Sequence, residues 1–206
     1  MHYSRQLLFM ISIAVAMVVL YHIFPHNGVF QDLVAACGFF GIIPYLSAHV
    51  IIGKSNAELG YTAGNMRSGA ILSVLFFILM IVLFLLLTRF ASSWFNYADM
   101  PQVAIDYFWV FVAYNGIIAL YAIVYSLFLQ GFIINGMRAE LGSAAIGVSL
   151  IAFALISGNG IAQIDAYIGV LFASLIAYYS YSIYYALLFV FFTGIAVNGI
   201  SLILLQ

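Results

Sequence analysis

The chain alternates between long apolar runs and short polar clusters, and the runs can be taken one helix at a time. Leu7 to Phe24 is the first. Pro25 has no N–H with which to continue a ladder, so it closes that helix ahead of the turn His26-Asn27-Gly28. The second run, about Leu33 to Ile52, holds Pro44 in its interior, which predicts a kink rather than a break. GKSNAELGYTAGNMRSG follows, the most polar stretch, and its four glycines predict the longest loop, outside the hydrocarbon. Ala70 to Thr88 has Ser73 as its only polar residue before Thr88 and reads as a lipid-facing third helix. After a turn from Ser92 to Gln102, holding Trp94, Asp99 and Pro101, a fourth helix runs from about Val103 to Asn135. It exceeds one upright crossing, so it is tilted, kinked near Asn115-Gly116 or extended into water. Ser143 to Ser157 makes a short fifth helix, Gly158-Asn159-Gly160 a turn, and Ile161 to Tyr179 a sixth. Tyrosines between Tyr178 and Tyr185 mark an interface before a seventh helix, Tyr185 to Leu205.

Composition turns this pattern into a class. Hydrophobic residues make up 67% of the chain, against five Lys/Arg and six Asp/Glu, and mean hydropathy is +1.21, far outside the soluble range. At about 20 apolar residues per crossing, 206 residues accommodate about seven helices and little else. The expected fold is all-α: a polytopic integral membrane helix bundle forming a single domain over 1–206. Helices four to seven (103–206) are expected as its core, with helices one to three (1–102) packed around them. Arg5 ahead of an apolar run imitates a signal peptide, but the run is long and no small-residue cleavage site follows, so helix one is expected to be retained.

A net charge of −1 without a basic run argues against nucleic acid and against a polybasic lipid-binding tail. Cys37 is the only cysteine, so one chain can build neither a disulfide framework nor a multi-cysteine metal site. Counting cations in alternate loops places Arg5, Lys54, Arg67 and Arg138 on the cytoplasmic side and Arg89 outside. Asp32, Asp99, Asp106 and Asp165 fall opposite the cytoplasmic cations. The expected location is therefore a multi-pass protein of the plasma or inner membrane with its N-terminus cytoplasmic.

Candidate chemistry centres on Tyr125 to Ser143, YSLFLQGFIINGMRAELGS, where an apolar helix runs into a small charged loop. Gln130-Gly131 and Gly142-Ser143 lie here, Phe153 follows on helix five and Asn198 on helix seven, with Ala57-Glu58-Leu59-Gly60 ahead of helix three. From Gly53 onward this order of features resembles the CAAX prenyl protease and bacteriocin-processing (CPBP, Abi-type) family of intramembrane metal-dependent or glutamate-dependent peptidases. The resemblance implies that Tyr125 and Ser126 stand at the positions of two catalytic glutamates. It likewise puts Ser157 and Gly194 at histidine positions, while Asn198 matches the family's asparagine.

Hydrolysis needs a carboxylate to take a proton from water and imidazoles to hold that water, bind a metal or stabilise an oxyanion. Tyr125, Ser126, Ser157 and Gly194 cannot together supply this, and the sequence offers no other carboxylate and histidine cluster at membrane depth. The resemblance thus implies a degenerate member, a pseudoenzyme without metal or other cofactor. The expected function is a non-catalytic transmembrane subunit, a scaffold, assembly or regulatory partner of a membrane complex. Its expected partners are other transmembrane proteins, through helix–helix contacts, and lipids. One alternative is an intramembrane endopeptidase with an atypical site, using Glu140 or a partner's residues. Another is a small lipid or amphiphile carrier lined by neutral polar groups.

Other residues have plainer readings. His22 and His26 share the i, i+4 spacing of metal ligands, with Asp32 nearby, but Pro25 between them points to interfacial histidines beside a helix end. His49 reads as a bundle-facing or snorkelling polar group. The inner polar residues Asn115, Ser126, Gln130, Ser149, Ser174, Thr193 and Asn198 carry no charge, which argues against a proton or sodium relay. Gln130, Gly131, Phe153 and Asn198 are the expected packing core, with Gln130 paired to Asn198 by hydrogen bonds worth about 1 kcal/mol each. Arg138 and Glu140 read as a solvated pair at i, i+2.

Overall fold

A computed structural model describes residues 4–90, 107–157 and 164–204. Among them the chain forms seven helices: α1 (Arg5–Ile23), α2 (Val29–Ile51), α3 (Met66–Phe90), α4 (Phe108–Leu141), α5 (Ala144–Ser157), α6 (Ile164–Ser180) and α7 (Ile183–Leu204). α1, α2, α3, α4 and α7 are long and apolar enough to cross a membrane, and α5 and α6 are shorter apolar helices. The all-α helix bundle expected from the sequence is the observed fold. The turns expected at Ser92 to Gln102 and Gly158 to Gly160, and the expected starts of helices four and six, lie outside the described residues.

Local chemistry explains most helix boundaries. Ser4 caps α1, its Oγ accepting from the Leu7 N–H at 3.2 Å. In α2 the missing N–H of Pro44 is absorbed by a change of register. The Ile43 N–H reaches back five residues to the Gly38 carbonyl, and π-helical turns occupy Cys37–Ile42 and Ser47–Ile51 on either side. α4 passes Asn115-Gly116 as regular α-helix and departs from it over Leu127–Asn135 instead, where the ladder widens to π. The Asn135 Nδ2 donates to the Gln130 carbonyl at 2.9 Å and satisfies an acceptor inside the widened stretch.

Successive helices alternate in direction. Ser4 meets Glu140, Gly60 meets Ile183 and Asn65 meets Ser180 at one end of the bundle; His22 meets Leu155 and Tyr121 meets Val29 at the other. The π stretch of α4 joins two buried clusters. On one side Phe128, Phe132, Ile133 and Met137 pack with Leu7, Met10, Phe40 and Leu59. On the other, Ile134 packs with Met80, Ala145, Ile176, Ala186 and Phe189. α1 and α2 thus share a core with α4 and α5, while α3 packs on α6 and α7. Because lipid tails are as apolar as these side chains, close packing and interhelical hydrogen bonds hold such a bundle, not dehydration. Ser149 and Ser174, both buried, make one such bond between α5 and α6 at 3.1 Å. α3, read from its sequence as lipid-facing, leaves Val74, Leu75, Ile78, Leu79, Leu85 and Leu86 exposed.

The polar segment 52–65 is docked, not merely solvated. Its Leu59 is 1% exposed. Gly60 (φ +77°) gives its carbonyl to the Ile183 N–H at 3.0 Å, and the Asn65 N–H donates to the Ser180 carbonyl at 2.6 Å. Gly64 (φ +53°) lies so close to the Ser180 carbonyl that a Cβ there would collide with it. Ser55 and Glu58 bond reciprocally in the manner of a capping box, with the Ser55 N–H and Oγ both 2.8 Å from the Glu58 carboxylate.

Candidate functional site

α4, α6 and α7 each turn one helical face toward a chamber of about 390 Å³. Ile118, Ala122, Tyr125, Ser126, Leu129 and Gln130 recur at three- and four-residue spacing on α4, as do Asp165, Gly169 and Ala173 on α6. α7 contributes Val190, Thr193, Gly194, Val197 and Asn198, and single residues from α3 (Met80) and α5 (Phe153) complete the wall.

Most of the positions singled out in the sequence meet here. Tyr125, Ser126, Gln130, Phe153, Gly194 and Asn198 all line the chamber. Ser157 does not. It ends α5, where its Oγ donates to the Ala154 carbonyl at 3.3 Å and lies 3.5 Å from the Tyr167 hydroxyl. Gly131 faces away from the chamber; a Cβ on it would come within 3.1 Å of the Tyr61 hydroxyl, so its lack of a side chain admits the docked loop.

The expected Gln130–Asn198 pair is replaced by another. The Asn198 Nδ2 donates to the Asn115 Oδ1 at 2.8 Å, and the Asn115 Nδ2 donates to the Phe111 carbonyl at 2.9 Å. α4 and α7 run antiparallel, with Gln130 near the end where α7 begins, so Asn198 lies level with Asn115. Gln130 is only 2% exposed, yet its Oε1 has no hydrogen-bond partner among the described residues. The hydroxyl of Thr193, 7% exposed, is in the same position. Asp165, an acid the sequence reading used only to judge orientation, is the one carboxylate among the lining residues, with no histidine beside it. Its signal was present: it heads a helical row with the small residues Gly169 and Ala173. Chemically this is a container with hydrogen-bonding groups, lacking the carboxylate and imidazole pairing that would activate water.

No protein-family model, curated protein or solved structure matches the chain. The likeness to the CAAX protease family therefore rests on residue spacing alone.

Outside the chamber, several charged and titratable residues have partners of their own. Glu140 is exposed, absent from the chamber lining, and accepts from both the backbone N–H (3.0 Å) and the hydroxyl of Ser4. Arg138 makes no solvated pair with it. Its guanidinium lies 4.2 Å from the Tyr178 ring centroid and 3.3 Å from that of Tyr181. Tyr181, at φ +59°, forms the tight turn between α6 and α7 that carries its ring there.

His26 bonds Asp32 through Nδ1 at 2.8 Å and the Tyr21 carbonyl through Nε2 at 2.9 Å. His22 reaches the Leu155 carbonyl at 2.6 Å. The two histidines therefore brace helix ends, and no three His, Cys, Asp or Glu side chains converge on a metal position among the described residues. His49 bonds the Lys54 carbonyl at 2.9 Å and stacks on Tyr45, so it anchors the start of the docked loop. In that loop burial, reinforced by Tyr45 and Tyr184, pushes the Tyr61 phenol up to about 12. The Ser55 backbone N–H and then its hydroxyl hold Glu58 below the usual carboxylate range.

Proposed function

We propose that this chain is a non-catalytic, multi-pass membrane protein that holds a hydrophobic partner in the α4–α6–α7 chamber. It serves as a scaffold, assembly or regulatory subunit of a membrane complex, on a frame similar to that of the CAAX proteases. The observation that carries this reading is the chamber itself: Tyr125, Ser126, Gln130, Gly194 and Asn198 converge on it without a carboxylate and imidazole pair. The N-terminus is cytoplasmic, an orientation supported by Arg5, Lys54, Arg67 and Arg138 lying at one end of the bundle and Arg89 at the other.

Photo-crosslinking tests the binding role. A benzophenone-bearing residue at Ile118, on the chamber wall, is expected to capture a defined membrane component in the native membrane. The same residue at the exposed Leu79 of α3 serves as the control, and equal capture at both would remove the chamber as the binding place. Orientation is read separately by labelling Lys54→Cys in a Cys37→Ser background, which a membrane-impermeant reagent should reach only after the cytoplasmic side is opened.

A second reading, a carrier of small amphiphiles, is favoured by the two unpartnered oxygens on Gln130 and Thr193, which suit a polar head group.

A further inference from the structure

We infer that the chamber is a binding site for a neutral single-chain amphiphile whose head group donates a hydrogen bond, such as a long-chain alcohol. This rests on the reading of the chamber as a place that holds a partner without cleaving it.

Size comes first. Along α4 the lining runs from Ile118 to Gln130, about 18 Å at 1.5 Å per residue. A volume of about 390 Å³ spread over that length makes a slender space. One extended hydrocarbon chain passes through such a bore. An α-helix, about 10–12 Å across with its side chains, does not, so a transmembrane segment can offer only individual side chains to it. The walls are apolar for most of their length, and a Cβ placed on Gly169 or Gly194 would meet nothing within 4 Å, so space is open beside both glycines.

Polarity comes second. Gln130 Oε1 and Thr193 Oγ1 are buried, belong to residues that line the chamber and have no partner among the described residues. Buried polar atoms in native proteins are almost always paired, and an unpaired one calls for an explanation. An amide oxygen can only accept and a hydroxyl can also accept, while the Asp165 carboxylate on the same wall is already engaged by the backbone N–H groups of its own helix start. Two unpartnered acceptors on the wall of one apolar bore select a guest that donates. They select little else, because among the described residues nothing cationic lines the chamber to hold a phosphate or carboxylate head.

The test compares dodecanol with dodecyl methyl ether, which has nearly the same chain but no O–H, on the chain purified in detergent, with occupancy read by native mass spectrometry. Dodecanol is expected to bind about tenfold or more tightly, because a buried acceptor left without its donor is penalised. Gln130→Leu and Thr193→Val keep size and remove the unpaired oxygen. Each should melt no lower than the native chain without probe, and at least one should lose the preference for the alcohol, which locates the head group. A lower melting point in both, with preference intact, would make the two groups structural and overturn the proposal. Equal binding of the two probes, or none of either, would also overturn it while leaving the non-catalytic reading in place, with a protein partner's side chains as occupants. Selective dodecanol binding by a chain that also cleaves a co-reconstituted membrane protein would instead keep the ligand class and remove the non-catalytic reading.

Discussion

α4 passes through two surroundings of opposite character. From Gly131 to Met137 it is gripped on several sides: Leu59 and Tyr61 of the docked loop, Met10 of α1 and the α6–α7 turn crowd it, and a Cβ on Gly136 would come within 2.7 Å of the Met10 Cε. From Ile118 to Gln130 the same helix borders open space, and buried polar atoms there lack partners. A loosely packed bundle would leave such defects everywhere. Here two of the three unpartnered buried polar atoms found among the described residues, on Gln130 and Thr193, lie on the chamber face, and the third, Arg138 Nη1, lies at the gripped end, next to a region where one added methyl group matters. Gln130 sits at the seam, inside the π stretch that ends one regime and begins the other.

The sharpest way to break the contrast is to add a methyl group on each side of it. Gly64→Ala forces a Cβ against the Ser180 carbonyl at φ +53°, and a stability loss of about 3 kcal/mol is expected in thermal unfolding followed by circular dichroism in detergent. A loss below about 0.5 kcal/mol would mean that the loop is not locked to the bundle. Next in size is the amide pair. Asn115→Leu strands its partner and should cost about 1–2 kcal/mol. Adding Asn198→Leu should recover part of that loss; simple additivity in the double-mutant cycle would deny the bond. Gly194→Ala, whose Cβ meets nothing within 4 Å, should raise stability by about 0.5–1 kcal/mol through helix propensity, the opposite sign to Gly64→Ala.

The smaller effects concern protons in the docked loop. The Tyr61 phenol ionises near 10 when unfolded and at about 12 when folded. Its contribution to stability is therefore whole below pH 10 and lost as pH rises through 12, and Tyr61→Phe should flatten that part of a melting-temperature profile. Glu58 works in the other direction. Its pKa is lowered in the folded chain by Ser55, so its contribution is whole above the unfolded value and lost as pH falls through the folded one. At the Ser55 amide, hydrogen-exchange protection corrected for intrinsic rate should fall on acidification, and Glu58→Gln should show less of that fall.

The fold was legible because its elements are long and their stops are chemically blunt: Pro25 closes the run of α1, and the glycine-rich stretch from Gly53 separates α2 from α3, although α3 takes in its last residues from Met66 onward. Spacing also brought Tyr125, Ser126, Gln130, Gly194 and Asn198 to one place, since i, i+4 relations survive in any regular helix. The π turns were not legible, because a widened ladder is set by neighbours on several helices and leaves no residue signature of its own. Register between α4 and α7 was hidden for a related reason, and with it the choice of Asn115 over Gln130 as the partner of Asn198. The docked loop was missed because four glycines in a polar stretch describe a turn equally well whether it is free or clamped; only Leu59, an apolar residue among polar ones, hinted at an anchor.

That clamp also has a history in time. The Tyr61 carbonyl accepts from the Tyr184 hydroxyl, 123 residues further along the chain. At a synthesis rate of about 5–20 residues per second, the loop must wait roughly 6–25 seconds for the segment that will hold it. The loop between α2 and α3 is therefore made unfastened, and the bundle closes on it only when the α6–α7 turn emerges. Chains stalled before Ile183 should still be cut at 53–65 by added protease, and released full-length chains should resist it.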